Sequence, residues 1–353
     1  MDCVSNTQPS HRPGALHGWL QFKNMSRPRF VPDNFTLALI ATVVLASFVP
    51  ASGQVAEYVE LVTTGIVSLL FFLHGAKLSR QAILAGIGHW RLHVWIFIAT
   101  FVLFPVLGLA LRPVLSPLVT TEMYIGVLFL CTLPATVQSA IAFTSMARGN
   151  VPAAVCSASA STLLGILVTP ILVSLILHKN AEGGDALHAI GKIAMTLLLP
   201  FVIGHLMRPV IGGFLQRRAS IIKLVDQGSI LFVVYAAFSA AVISGLWKQT
   251  PIPSLLGLIV VCCILLAVVL FITTWGARRL GFSKEDEITL VFCGSKKSMV
   301  SGIPMANVLF PAASVGAIVL PLMLFHQIQL MVCAVLAQRY ARRVQIADES
   351  TPH

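Results

Sequence analysis

Two adjacent lysines, Lys296 and Lys297, sit inside an otherwise uncharged apolar run, Val-Phe-Cys-Gly-Ser-Lys-Lys-Ser-Met-Val at 291–300. An ammonium group deep in a bilayer costs roughly 2.5–3.5 kcal/mol on insertion scales, so two of them persist only against a polar interior. They mark a candidate binding site. Small polar side chains gather at two places that could complete it. Ser295 and Ser298 flank the lysines, and Thr132, Thr136, Gln138 and Ser139 surround Pro134 much earlier in the chain. The apolar run that follows adds Ser157, Ser159, Ser161 and Thr162. Any one of these hydroxyls can serve ordinary helix packing, but gathered at two interruptions they read better as a site. His326-Gln327, in the last apolar run, either reaches the lysines or bridges helices; His74 and His205 are further polar residues inside such runs.

Lys296 follows Lys284 by about 12 residues, roughly 18 Å at 1.5 Å per helical residue, which is too deep for simple snorkelling. Neighbouring side chains on a helix diverge by about 100°, so both ammonium groups can share one cavity only where the chain is unwound. One lysine is expected in the site, the other braced by backbone carbonyls or by the Gln138 region. The sequence leaves open which is which.

These residues must be positioned by membrane helices. Of 353 residues, 57% are hydrophobic and 10% charged, and the mean hydropathy is +0.88, so the chain has no means of presenting an ordinary aqueous surface. The net charge of +11 does not point to nucleic acid, because Lys and Arg fall in short segments between apolar runs with no basic domain. Seven cysteines without paired spacing read as small buried hydrophobes, not disulfides or metal ligands. Residues 1–30 are polar, lack an apolar signal-peptide core and read as a disordered segment, with Met25 as an alternative start.

Ten apolar runs are long enough to cross about 30 Å of hydrocarbon. They lie near Phe35–Val49, Tyr58–Lys77, Trp90–Leu111, Thr121–Met146, Val151–Leu177, Ala186–Met207, Ile222–Leu246, Ile252–Trp275, Glu287–Leu309 and Ala313–Val335. The fourth is interrupted by Pro134, the ninth by Gly294, Gly302 and Pro304. With this division eighteen Lys and Arg residues fall on one side and four on the other, which places both termini in the cytoplasm and the chain in the inner (plasma) membrane.

Shifting the chain by 159 residues sets 138–154 on 297–313 with six of seventeen positions identical, including Pro152-Ala-Ala on Pro311-Ala-Ala. Five spans separate the two copies, so they have opposite orientation: an inverted repeat whose matched elements are the interrupted spans. Unwound backbone and half-helix ends at such breaks bind ions or anionic groups. All thirteen acidic residues fall in loops, termini or at span ends, leaving no carboxylate for the midplane. His-Glu-x-x-His, Gly-x-Ser-x-Gly and Walker lysine motifs are absent, so the sequence reads as no enzyme and calls for no cofactor or resident metal.

Three segments carry a family resemblance: Thr132–Val151 (Thr-Leu-Pro-Ala-Thr-Val-Gln-Ser-Ala-Ile-Ala-Phe-Thr-Ser-Met-Ala-Arg-Gly-Asn-Val), Phe292–Met305 (Phe-Cys-Gly-Ser-Lys-Lys-Ser-Met-Val-Ser-Gly-Ile-Pro-Met) and Phe-Phe-Leu-His-Gly-Ala-Lys-Leu at 71–78. From about Pro28 to Arg343 the chain resembles the SBF-like branch of the bile acid:sodium symporter superfamily, which holds bacterial YfeH-type symporters and the vertebrate solute carrier family 10 member 7. The resemblance implies an all-α membrane protein of ten transmembrane helices in two inverted five-helix repeats, with helices four and nine broken and crossing. It implies a panel domain (31–80 and 186–247) that moves against a core domain (88–178 and 252–340), followed by a cytoplasmic tail (341–353). In sodium-coupled members the ninth helix carries a glutamate and, four residues on, a glutamine that bind sodium; here those positions hold Phe292 and Lys296.

Sodium requires an oxygen cage with compensating negative charge, and an ammonium a few ångströms away repels it. A lysine here is therefore either a built-in cation that makes sodium unnecessary or an amine that releases and regains a proton during transport. In both cases the expected partner is a small organic anion, drawn to Lys296 or Lys297 and to positive half-helix ends. The expected function is secondary active transport by alternating access. A sodium-coupled symporter and a non-transporting membrane regulator of ion homeostasis, as the vertebrate relative suggests, remain as alternatives.

Overall fold

The computed structural model describes residues 34–77, 87–177 and 194–349. The expected N-terminal segment, Cys3, the start of the sixth apolar run and the end of the tail lie outside the described residues. Every described element is helical, and no strand occurs among the described residues. In chain order the helices are α1 Asn34–Phe48, α2 Gln54–Lys77, α3 Trp90–Ala110, α4 Thr121–Thr132, α5 Val137–Met146 and α6 Val151–Leu177. There follow α7 Leu199–Arg217, α8 Ala219–Ile243, α9 Ile252–Arg279, α10 Lys284–Gly294, α11 Met299–Leu309 and α12 Ala312–Glu349.

Seven of these helices are long and apolar enough to cross a membrane, and eight spans result when α4 and α5, bent by 63° across a short break, count as one. Helix α1 has only 15 residues, and α10 and α11 have 11 each. The outward faces are apolar: Phe48, Val210 and Leu61 are 83%, 82% and 71% exposed, a surface that only lipid satisfies. Cys263 is on such an outward face, which corrects the expectation that every cysteine in a span is buried. Its position on α9 simply turns to the outside.

The broken elements differ from the expected ones in detail. Pro134 does end α4, because a residue before proline is driven out of the helical region and Leu133 is extended (φ −72°, ψ 153°). Gly302 and Pro304, expected to interrupt the ninth run, instead lie within α11, and the break is Ser295–Ser298. Prolines are tolerated in membrane helices where neighbouring groups satisfy the freed carbonyl. A Cβ at Gly302 would meet Leu133 and Leu322, so this glycine serves packing. The two breaks also sit out of step with the 159-residue offset: their last residues are Thr136 and Ser298, whereas the offset would match Thr136 to Ser295.

Helices α1, α2, α7 and α8 pack chiefly on one another, and α3–α6 pack with α9–α12. Tyr235 on α8 donates to the Val49 carbonyl (2.9 Å) and Trp247 Nε1 to Ser47 Oγ (2.9 Å), which hold the short α1 in place. The closest contact in the first group is the crossing of α2 and α7. There Gly75 and Gly204 let the backbones touch, since a Cβ on either would overlap the carbonyl of Phe201 or Phe72. Gly75→Val and Gly204→Val should each cost about 1–3 kcal/mol through overpacking. Each should lower the thermal midpoint of the purified protein in detergent, followed by loss of the monodisperse gel-filtration peak; an unchanged midpoint in both would refute this account of the crossing.

Candidate functional site

The two breaks cross and are laced together by backbone groups. The Ser298 amide donates to the Pro134 carbonyl at 2.9 Å, and Thr136 Oγ1 donates to the Lys297 carbonyl at 2.7 Å. Helix α12 supplies a clasp. The Lys297 amide donates to Gln329 Oε1 (3.0 Å), while Gln329 Nε2 donates back to the Lys297 carbonyl (3.1 Å) and lies 2.9 Å from His326 Nδ1. Ser298 caps α11 by accepting from the Ser301 amide at 3.2 Å. On the other side the Ala135 amide donates to Ser161 Oγ (3.0 Å) and Thr169 Oγ1 to the Thr132 carbonyl (2.8 Å).

Because the chain is unwound at Ser295–Ser298, the neighbouring lysines leave it in different directions. Lys297 Nζ donates to three backbone carbonyls: Thr100 at 2.7 Å, Cys131 at 2.9 Å and Leu133 at 2.8 Å. All three ammonium protons are used, and the Phe104 ring covers the group at 4.1 Å. Each carbonyl is free for a local reason. Cys131 and Leu133 stand at the end of α4, where carbonyls lose their helical partners, and the amide that would reach Cys131, that of Ala135, has gone to Ser161. Thr100 lies in a π-helical turn, Ala99–Leu103, in which the Phe104 amide bonds back to Ala99. The next amide in that wider register would be residue 105, which is proline and has none.

Lys296 turns the other way. Its side chain is fully buried, with Nζ 4.3 Å from the Phe143 ring centroid and 5.9 Å from that of Phe292. The Cys293 and Cys333 thiols are beside it, but none of the surrounding groups gives it a hydrogen bond of ordinary geometry. It therefore rests on cation–π attraction, worth about 2 kcal/mol or somewhat more when desolvated.

Beside the crossover lies a cavity of about 460 Å³, walled on one side by the first residues of α5 and α11 and on the other by α2 and α8. Six of the expected site residues line it: Thr136, Gln138, Ser139, Thr162, Ser298 and His326. Ser139 Oγ is buried there without a hydrogen-bond partner. The remaining four stand behind this wall. Ser157 is paired with His93 Nδ1 at 2.6 Å, Ser295 Oγ is buried and unpartnered, and Lys296 and Lys297 are sealed in the packed interior. Both half-helices present their N-terminal amides and positive dipole ends to the space, which suits an anion.

The opposite wall was not expected from the sequence. Lys77 on α2 is ion-paired with Asp226 on α8, with His74, Lys223 and Gln227 around them, all lining the cavity. Helix α8 begins at Ala219, so Asp226 stands about two turns along it and lines the cavity. The available signal was Lys77 itself, at the end of Phe-Phe-Leu-His-Gly-Ala-Lys. Likewise Gln329 of α12, which the sequence did not single out, grips the break, with His326 Nδ1 3.4 Å from the Lys297 carbonyl. A second cavity, of about 480 Å³, lies further along the same seam, between the start of α2, the end of α8 and the α11–α12 turn, with Glu60 as its one charged lining residue among the described residues.

Apolar outer faces, two discontinuous helices crossing in the interior, and half-helix ends turned to a cavity define a multi-pass membrane transporter, not an enzyme. Residues 33–342 match the SBF-like CPA transporter family, and the chain belongs to it. It is 68% identical over 319 residues to an uncharacterised protein of Pseudomonas aeruginosa, covering 90% of this chain and 96% of that one. It is 58% identical over 313 residues to the Escherichia coli protein named "Putative symporter YfeH" (89% and 94% covered). Sodium/bile acid cotransporter 7 of Rattus norvegicus is 27% identical over 273 residues (76% and 80% covered).

The two lysines should separate in a stability measurement. Lys297→Met strands three buried carbonyls at about 1–3 kcal/mol each, before relaxation, and should lower the thermal midpoint clearly. Lys296→Met replaces an ammonium without acceptors by an apolar side chain of similar volume and should leave the midpoint unchanged or raise it. Differential scanning fluorimetry of the detergent-solubilised variants checks the order, and equal losses at both positions would contradict it.

Proposed function

We propose that this protein moves a small organic anion across the bilayer by alternating access, with Lys297 acting as a resident cation that makes bound sodium unnecessary. The observation that carries the reading is the saturation of the Lys297 ammonium by three carbonyls at the crossing of the two breaks. A carbonyl cage of this kind attracts a cation, and here the cation is covalently attached. Its positive charge, with the N-terminal ends of α5 and α11, sets the sign of the solute in the adjoining cavity.

The reading takes α1 and α10–α11 as spans beside the eight, giving ten in two inverted halves. The group α1, α2, α7 and α8 is the moving panel and the rest is the core. Both termini lie in the cytoplasm and the protein resides in the inner membrane, an orientation supported by the basic residues at one end of the helices. Lys77 and Lys223 belong to that end, so the cavity they line faces inward, and the second cavity along the seam is the outward vestibule. The transported anion contacts Thr136, Gln138, Ser139, Thr162, Ser298 and His326, while Lys297, Ser295 and Ser157 hold the wall behind them. A sodium-coupled symporter is the second reading, favoured by the name of the vertebrate relatives.

Proteoliposomes test the choice, with radiolabelled taurocholate, succinate and benzoate as probes. The wild type should take up at least one of them in sodium-free medium. Lys297→Ala should lose at least about tenfold in rate, the equivalent of ~1.4 kcal/mol. Since the vacated carbonyls are neutral oxygen donors, sodium should restore part of the rate in Lys297→Ala and none in Lys297→Arg. Wild-type uptake that requires sodium and is indifferent to Lys297→Ala would overturn the resident-cation reading.

A further inference from the structure

The cavity has charge on both walls, but the two walls hold it differently. On the core wall the positive ends of α5 and α11 are fixed by the crossover. On the opposite wall the positive groups are Lys77 and Lys223, and Lys77 is already engaged by Asp226. That ion pair joins α2 to α8, and both residues line the cavity. The Asp226 carboxylate is only half satisfied: Oδ2 meets Lys77, whereas Oδ1 is screened from solvent and has no hydrogen-bond donor. The Asp226 side chain is 15% exposed, against 36% for Lys77, so the lysine is the partner that an incoming ligand reaches first.

We infer that the Lys77–Asp226 pair is an exchangeable latch that couples the anion to a proton, with Lys77 binding the solute and Asp226 carrying the proton. The inference rests on the anion-transport reading and adds a coupling ion and its carrier. The charge balance is simple. Before binding, Lys77 and Asp226 neutralise each other. An anion entering between the core half-helix ends and the panel takes Lys77, and the carboxylate it displaces is left unpaired in a closing cavity, where a lone charge is costly. Asp226 then takes up one proton from the water on the side to which the cavity is open. One monovalent anion and one proton cross together, and no net charge moves with them. On release the order reverses: the proton leaves Asp226, and Lys77 returns to the carboxylate.

The surrounding ionisable groups are compatible with that exchange. Helix α2 contributes His74 as well as Lys77, α8 itself contributes Lys223, and α12 contributes His326 across the cavity. Helix α7 contributes His205, whose backbone packs on Gly75 and whose Nδ1 is buried without a partner. Helices α1 and α11 bring no ionisable side chain. Among the described residues Asp226 is the one carboxylate that lines this cavity, with Lys77 and Lys223 as the cationic side chains beside it.

The test uses the full-length protein in proteoliposomes with the same three labelled probes, an acidic outside medium and a neutral lumen, or equal pH on both sides. In the wild type the acidic medium should raise uptake several-fold and a protonophore should abolish the gain; clamping the membrane potential with potassium and valinomycin should not alter it for the monovalent probes, whereas divalent succinate, carried with one proton, should respond to the clamp. In Asp226→Asn the ratio of uptake with and without the pH difference should fall to about one, and Asp226→Glu should recover it. A full pH response in Asp226→Asn would overturn the latch, as would wild-type uptake of a monovalent probe driven by membrane potential; both would leave anion transport standing. Uptake of none of the probes by the wild type under any gradient would overturn the transport reading and the latch together. Should Asp226→Asn fail to give a monodisperse peak, the wild-type potential and protonophore measurements decide alone.

Discussion

The interior of this protein depends on one ammonium group meeting three carbonyls. Breaking a helix within a membrane strands backbone acceptors where no water can reach them, and each stranded group is destabilising. Pro134 does this at the end of α4, and Pro105 does it in α3 by withholding the amide that the π turn would offer to Thr100. Lys297 gathers Thr100, Cys131 and Leu133 with its three protons. The desolvation cost of the charge and the cost of the orphaned carbonyls offset each other, which neither could do alone. The same contact pins α3, α4 and the second break to one point, and Gln329 fixes the peptide from which Lys297 departs.

That arrangement makes the core wall rigid and leaves the opposite wall adjustable. Thr136 and Ser298 are held by the crossover, so the half-helix ends behind them cannot shift independently. Lys77 and Asp226 come from two different helices and meet through a single ion pair. An anion that bridges the walls is attracted to fixed dipoles on one side and competes with a side-chain carboxylate on the other. Under the proposed latch, binding free energy would be converted into a change of partner on α2 and α8, two of the helices taken as the moving panel.

Much of this plan can be read from the sequence, and the failures have physical causes. The Val151–Leu177 helix is legible as an element, and its start to the residue, because an apolar run of that length has a single solution. The break at Pro134 follows from the restriction that proline places on its predecessor. Gly302 and Pro304 mislead because neighbouring helices repair what those residues would break in isolation. The depth of the lysines was legible but not their direction: one residue of unwound chain decides which points to α3 and which to Phe143, and no periodicity survives there to say so. Gln329 escaped notice because a buried glutamine in an apolar helix looks like any interhelical hydrogen bond. Lys77 and Asp226 read as separate charges at span ends, and nothing in the sequence says that the two ends meet across a cavity.

The packing of the seam accounts for why movement would be confined to it. Helices α2 and α7 touch at Gly75 and Gly204 with their backbones in contact, which leaves them no freedom to slide. Along α2 and α8, Leu70, Val233 and Val234 are fully buried in the stretch between the residues that line the two cavities, so the seam is closed in its middle and open at both ends. At one point where α8 meets α12 the contact is made by small residues, Ala237 and Ala241 against Gly316. Small side chains do not interdigitate as leucines or phenylalanines do, and one smooth face can move past another without repacking a core. A rocking motion of α2, α7 and α8 as one body about this face would enlarge one cavity as it reduces the other. The crossover, fixed by Lys297, would remain in place between them.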